Sequence, residues 1–164
     1  MGYMNFKEPT LEKVFKSFKW ARNNTIQLFE CANKAGILDN KLLVGEGIRP
    51  QPLLFQFQCI LTTTDTYFRK LAGSDEKSFG ILVDNDETWE KEKIPQGVAV
   101  YLLKTQANQL EKLLCGFDQV VMTKELDTIM QISNHEYLHQ GQIIAYFREN
   151  DVALPERFKK AWAL

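Results

Sequence analysis

The chain has 164 residues, of which 45% are apolar and 25% charged, ordinary values for a folded globular protein that exclude a disordered or low-complexity chain. Lys and Arg together number 20 and Asp and Glu 21, so the net charge of −1 leaves no surplus of positive charge for neutralising nucleic-acid phosphates. We therefore predict a single domain over residues 1–164 that binds no nucleic acid.

The first predicted helix begins at Pro9 and ends near Gly36. Apolar residues recur along it at spacings close to three and four, which is the period of one helix face: Leu11, Val14, Phe15, Phe18, Ile26, Leu28, Phe29 and Ala32. The polar residues between them are predicted to form a solvated face: Lys13, Lys16, Lys19, Arg22 and Asn23. A stretch rich in Gly and Pro, residues 45–52, separates this helix from the next.

The second predicted helix runs from Pro52 to Ala72. Its first two turns are apolar nearly all round, so this helix is predicted to be central and buried on most sides. Gly73 ends it, and an acidic connection of roughly twenty residues follows. A connection of that length allows a crossover between the second and third helices.

The second half of the chain predicts two more long helices and a short one. The third helix spans Pro95 to Gly116, residues 119–122 are predicted as a short extended piece, and the fourth helix spans about Asp127 to Asn150. Pro155 opens a terminal helix that ends at Trp162. With no regular strand pattern and no internal repeat, the predicted fold class is all-α, a four-helix bundle with a short C-terminal helix.

The cysteines and the N-terminal sequence predict a cytoplasmic protein. Cys31, Cys59 and Cys115 are odd in number and widely spaced, as expected of reduced thiols. The first eight residues lack an apolar stretch behind a basic start, and nowhere do 18 apolar residues run together. Neither secretion nor contact with a membrane is therefore expected.

The chain has two histidines, four residues apart in the segment 133–142, Ser-Asn-His-Glu-Tyr-Leu-His-Gln-Gly-Gln. On a helix this spacing places His135 and His139 on one face, near enough to bind one divalent ion. They also fall on an apolar stripe that is predicted to face the core, with Ile129, Ile132, Ile143 and Tyr146. Both rings then need polar partners, because an unpaired buried polar group costs about 1 to 3 kcal/mol.

Two other interpretations of the histidine pair stay open. The rings can be ordinary core or half-exposed histidines that hydrogen-bond to their neighbours. The segment 135–139 also matches the zinc-protease pattern, in which two histidines bind the metal and the intervening Glu acts as the base. The chain has no predicted strand to hold an extended peptide, which counts against a protease.

Two segments of the chain resemble the DinB/YfiT-like superfamily of metal-binding four-helix bundles, the DNA-damage-inducible family. One is similar to the signature of that family's fourth helix: Asn134-His135-Glu136-x-x-His139-Gln140-Gly141-Gln142-Ile143-x-x-Tyr146-Phe147-Arg148, followed by Val152 and Pro155. The other looks like its second-helix motif, Phe55-x-Phe57-x-Cys59-Ile60. The resemblance implies a bundle of DinB/YfiT type in which one histidine of the second helix and two of the fourth hold a divalent metal.

The chain departs from the family at one of these ligands, because Cys59 stands where the family has its second-helix histidine. The metal ligands implied here are therefore Cys59, His135 and His139. A Cys-His-His set with an open fourth position suits zinc better than a hard ion, with nickel and iron as alternatives. Alternatively the site has lost its metal, and Cys59 is an ordinary small buried residue.

The surroundings of this predicted site carry three further expectations. Glu136, which follows the first histidine, is the candidate catalytic residue, as a general base or a supporting acceptor, unless it is simply a solvated carboxylate. Gly141 is expected to allow close helix approach, with Gln142 shaping the packing. The face of the second helix that carries Cys59 is predicted to line an internal pocket, together with Phe55, Thr62, Thr63 and Thr66.

Two functions follow as hypotheses from different classes. By resemblance, the chain is a DinB-like metalloprotein, either a metal-dependent thiol transferase that acts on a small molecule with a low-molecular-weight thiol, or a metal-dependent hydrolase. The alternative is a non-catalytic bundle that forms a homodimer through exposed apolar helix faces and keeps a degenerate metal site.

Overall fold

The computed structural model describes residues 5–42, 51–74 and 96–162. These residues form five helices: α1 (Pro9–Lys34), α2 (Leu53–Ala72), α3 (Gln96–Gly116), α4 (Gln119–Glu149) and α5 (Glu156–Trp162). The described ranges contain no strand and a single isolated antiparallel bridge, between Lys41 and Pro52. The all-α fold class is confirmed. None of the helices in these ranges has both the length and the apolar character needed to span a bilayer.

Local sequence signals explain where α1 and α2 begin and end. Pro9 is the first residue of α1, where its fixed φ suits a helix and its missing N–H costs nothing. Gly73 ends α2 in the left-handed conformation, with φ of 63°, and the N–H groups of Gly73 and Ser74 bond to the last carbonyls of the helix. The predicted bounds of both helices are confirmed to within two residues.

The start of the fourth helix was predicted wrongly. Residues 119–122, expected to be extended, form the first turn of α4, which therefore begins eight residues before Asp127. The physical reason is the preceding residue, Asp118, whose side chain accepts hydrogen bonds from the backbone N–H groups of Val120 and Val121 at 3.1 and 3.0 Å. Such an N-cap satisfies two donors that have no partner within the helix.

Each long helix packs against two others. Helix α1 contacts α3 and α4, and α2 contacts the same two helices. Residues with higher numbers in α1 contact residues with higher numbers in and just after α4, so these two helices are parallel. By the same test, with the order reversed, α2 is antiparallel to α4 and α3 is antiparallel to α1. Helices α2 and α3 are thus parallel, the relation that a crossover connection requires. The connection itself, residues 75–95, lies outside the described residues.

Two apolar clusters stabilise the fold, one towards each end of the long helices. The first joins residues 26–32 of α1 with 53–61 of α2, and the second joins residues 11–18 of α1 with 107–114 of α3. Between them lies a set of buried polar side chains, called here the polar layer: Arg22, Asn24, Thr25, Thr64, Asp65, Gln106, Ser133, Glu136, His139 and Gln140. All four long helices contribute to this layer, and the predicted site lies at its edge, where His139 belongs to it.

One member of the polar layer contradicts the predicted solvated face of α1. Lys13, Lys16, Lys19 and Asn23 are exposed as expected. Arg22, however, is only 1% exposed. It lies four residues after Phe18 and four before Ile26, so it continues the buried stripe of α1 rather than the solvated side.

Candidate metal centre

Helix α4 brings the two histidines together as the sequence predicts. Because they are one turn apart, their ring centroids lie 4.4 Å apart and their Nε2 atoms 3.1 Å apart. His139 is buried at 6% exposure, and His135 is half-buried. Both rings therefore turn the same nitrogen towards one point at the edge of the polar layer.

Helix α2 supplies the third group. The Sγ atom of Cys59 lies 3.8 Å from His135 Nε2, although the two residues are 76 positions apart in the chain. The same sulfur lies 3.8 Å from the hydroxyl of Thr63, one turn further along α2. One donor atom from each of Cys59, His135 and His139 lies within 4.8 Å of the other two. The predicted convergence of these three residues is confirmed.

The separations of these donor atoms match the size of a metal ion. With zinc–nitrogen bonds of about 2.1 Å and zinc–sulfur bonds of about 2.3 Å, a tetrahedral centre places two nitrogens about 3.4 Å apart and a sulfur about 3.6 Å from a nitrogen. The observed Nε2–Nε2 distance is 3.1 Å, and the Sγ–Nε2 distance is 3.8 Å. These two separations lie within about 0.3 Å of the tetrahedral values, the third is at most 4.8 Å, and the group can hold a metal.

Burial keeps both imidazoles in the neutral form that binds metals. Burial, together with the nearby His135 ring, lowers the pKa of His139 from 6.5 to about 4, although a hydrogen bond from the His139 ring to Gln142 acts in the opposite direction. Burial also lowers the pKa of His135, with the Arg22 charge acting in the same direction. At neutral pH each ring therefore keeps a nitrogen lone pair for an ion.

Within residues 5–42, 51–74 and 96–162, the Cys59 face of α2 is partly exposed and does not line the internal pocket that was predicted. The side chains of Phe55, Thr62 and Thr63 are half-buried and that of Thr66 is exposed. On the α4 side of the centre, Leu138 and Gln142 are exposed as well. The prediction failed because this face of α2 lies beside the surface of the packed helices. The Cys59 sulfur therefore lies beside half-buried and exposed side chains of α2 rather than deep in the core.

Gln56 is a site residue that the sequence analysis missed. It lies on α2, one turn before Cys59, and its Oε1 is 2.7 Å from His139 Nδ1. The Gln56 side chain is buried at 8% exposure, so the contact is shielded from water. No motif marks it; its position one turn from Cys59 on a nearly all-buried helix is the signal that could have identified it.

Glu136 is buried, so it is not a solvated carboxylate, which was one of the three roles considered for it. It is 1% exposed and forms an ion pair with Arg22, with Oε2 lying 2.9 Å from Nη2 and 3.1 Å from Nε. The same guanidinium donates to Thr64 Oγ1 and Gln106 Oε1, each at 2.9 Å. These contacts tie Glu136 to the interior of the polar layer, as a supporting residue would be. Its catalytic role stays a prediction.

The expected roles of Gly141 and Gln142 in packing are wrong. Both residues are exposed, and a Cβ atom built on Gly141 meets no atom within 4 Å. The adjacent Gln140 makes the packing contact instead. Its Nε2 donates to the Ala21 carbonyl at 2.7 Å and to the Thr25 hydroxyl at 3.0 Å, which joins α4 to α1.

Comparison of the chain with models of protein families, with curated proteins and with solved structures finds no match. The resemblance to the DinB/YfiT-like superfamily therefore stays a hypothesis that rests on the residues of the second and fourth helices. The capacity to hold a metal rests on the three converging donor atoms alone.

Proposed function

We propose that this protein is a DinB/YfiT-type four-helix bundle that binds one divalent metal ion through Cys59, His135 and His139. The supporting observation is the convergence of a sulfur and two imidazole nitrogens at separations near those of a tetrahedral metal centre. The order and packing of the four long helices support the bundle. The helices that carry the ligands are the ones that the family resemblance implies.

Zinc is the ion that we propose for this centre. One thiolate and two neutral imidazoles form a borderline-soft donor set, which suits zinc better than magnesium, calcium or manganese. Nickel and iron are the alternatives, since imidazole and thiolate also bind them. Three protein ligands leave a fourth position open, as in catalytic rather than structural zinc sites.

We further propose that the centre serves a reaction of a small molecule, either transfer of a low-molecular-weight thiol or hydrolysis. When bound, a divalent ion stabilises a thiolate or a hydroxide at neutral pH. The chain supplies the two neutral imidazoles, the Cys59 sulfur and a half-buried approach beside Thr62 and Thr63. Arg22 neutralises the buried carboxylate next to His135.

Metal analysis of the protein purified without an affinity tag tests this proposal. The wild type should contain about one metal ion per chain, as a three-ligand site requires. The variants Cys59→Ala and His139→Ala should lose it, whereas Cys115→Ala, which changes a cysteine outside the cluster, should not. A metal content that is the same in all four proteins would contradict the proposal.

Exposed apolar side chains support the second candidate function, a non-catalytic homodimer with a degenerate metal site. Trp20 and Trp162 are 41% and 39% exposed. Their rings lie 5.8 Å apart and contact the Tyr137 ring at 6.2 and 5.9 Å, in tilted and edge-on arrangements. Met130 on α4 is 45% exposed. A solution mass near twice the 19.0 kDa of the chain, together with no bound metal, would favour this function over the first.

A further inference from the structure

The contact between His139 and Gln56 determines which nitrogen of the ring can bind a metal. A neutral imidazole carries one N–H, and the other nitrogen has the free lone pair. The Nδ1 atom of His139 lies 2.7 Å from Gln56 Oε1, whereas its Nε2 faces His135. An amide can present either its oxygen or its NH2 group, so the question is what fixes the orientation of the Gln56 amide.

A backbone carbonyl fixes that orientation. The carbonyl of Gln51 can only accept a hydrogen bond, and the Tyr146 hydroxyl lies 2.8 Å from it. The Tyr146 hydroxyl therefore donates its hydrogen to this carbonyl, and its oxygen can act only as an acceptor towards other groups. Burial raises the pKa of Tyr146, and a hydrogen bond from Gln56 opposes this rise, as a donor to the phenol oxygen does. The geometry agrees with this donor role of the Gln56 NH2 group, because the amide oxygen, Oε1, is the atom that lies 2.7 Å from His139 Nδ1. The Gln56 oxygen is therefore left for His139, whose Nδ1 must carry the proton.

We infer that Gln56 is a positioning residue that holds His139 in the Nδ1–H tautomer and directs the Nε2 lone pair towards Cys59 and His135. The inference deepens the proposed function, since the lone pair serves a metal only if the site binds one. The tautomer, however, is set by the protein before any ion arrives. Gln56 and His139 are 8% and 6% exposed, so water does not compete for this hydrogen bond.

The orientation of His139 matters because free histidine favours the opposite tautomer, with the proton on Nε2. A ring in that form has to rearrange before Nε2 can bind an ion. Outer-sphere hydrogen bonds of this kind typically contribute 10- to 100-fold to metal affinity. A neutral amide also leaves the imidazole less basic than a carboxylate partner would. Gln56 therefore orients the ligand without adding negative charge to the centre.

Nitrogen-15 NMR of the histidine rings in the metal-free protein tests the tautomer directly. The wild type and Gln56→Glu, which keeps an oxygen acceptor, should show His139 protonated on Nδ1. Gln56→Leu should show a shift towards Nε2–H, and Gln58→Leu, a change of a buried glutamine on the same helix, should match the wild type. Protonation of wild-type His139 on Nε2, or an unchanged tautomer in Gln56→Leu, would overturn the inference.

Zinc titration of the same four proteins tests the consequence for binding. Gln56→Leu should bind zinc about 10- to 100-fold more weakly than the wild type, and Gln56→Glu and Gln58→Leu should bind it at least about as tightly. Equal affinity in Gln56→Leu and Gln58→Leu would contradict the role of Gln56 in the centre. If no protein binds zinc while the NMR result holds, the metal function fails and the assignment of the tautomer stands.

Discussion

Replacing Arg22 by Met should destabilise the protein severely. The guanidinium is 1% exposed and donates to groups on three other helices: Thr64 on α2, Gln106 and the Leu103 carbonyl on α3, and Glu136 on α4. A methionine of similar length leaves these acceptors and a buried carboxylate without their donor. Breaking a buried ion pair in this way costs about 3 to 5 kcal/mol, a large part of the roughly 5 to 15 kcal/mol that stabilises a typical domain.

Urea unfolding followed by circular dichroism measures this loss, and the chain offers a matched control. Lys16 and Glu12 form an ion pair of 2.6 Å on the surface of α1, with side chains 71% and 45% exposed. Lys16→Met should change the free energy of unfolding by no more than about 0.5 kcal/mol, because an exposed pair gains little over water. The contrast between the two variants isolates burial as the cause.

A double variant completes this prediction. Replacing both charges, in Arg22→Met with Glu136→Leu, should recover at least about 1 kcal/mol relative to the sum of the single changes, because no uncompensated charge is left in the interior. The reasoning is refuted if Arg22→Met costs no more than Lys16→Met. It is also refuted if the losses from the two single changes simply add.

Three further predictions concern the metal, the histidines and the start of α4. Removal of metal with a chelator should lower the melting temperature of the wild type but not of Cys59→Ala, since a ligand of the folded state stabilises it; equal shifts would count against the centre. In the metal-free protein, the free energy of unfolding should fall by about 2 to 3 kcal/mol as the pH drops from 6.5 to about 4. In this pH range His139 is protonated in the unfolded chain but stays neutral in the folded protein. His139→Gln should flatten this pH profile of urea midpoints, and a flat wild-type profile would contradict the prediction. Asp118→Ala should cost about 1 kcal/mol in urea unfolding through loss of the N-cap, whereas Asp127→Ala, at an exposed position within α4, should cost less.

The sequence predicted a helix end correctly where the helical spacing of apolar residues stopped at a residue that commonly begins or ends helices. Pro9 and Gly73 mark ends that the structure confirms. The start of α4 was missed because Val120 and Val121 suggest an extended segment, and β-branched residues are weak helix formers. The signal for a helix was present in Asp118, which is a favoured N-cap residue, but its hydrogen bonds become visible only in three dimensions.

The three candidate metal ligands could be predicted from the sequence, but the side chains that hydrogen-bond to the site and its neighbours could not. The spacing of His135 and His139 is a local pattern, and the resemblance to a family supplied Cys59. Gln56 and Arg22 were missed because each acts on a partner more than 80 positions away, which no local pattern encodes. The helical spacing of Arg22 from Phe18 and Ile26 matches the buried stripe of α1. Arg22 was nevertheless predicted to be solvated because charged side chains are seldom fully buried.

The contacts of Arg22 also determine how the helices align along their length. Its guanidinium reaches α2 at Thr64 and α4 at Glu136, five residues from Cys59 and one from His135 respectively. Sliding either helix by one turn, about 5.4 Å, would break these bonds, whereas apolar side chains tolerate such slippage far better because their attraction has no direction. One arginine thus sets the height at which a thiol on one helix meets an imidazole on another.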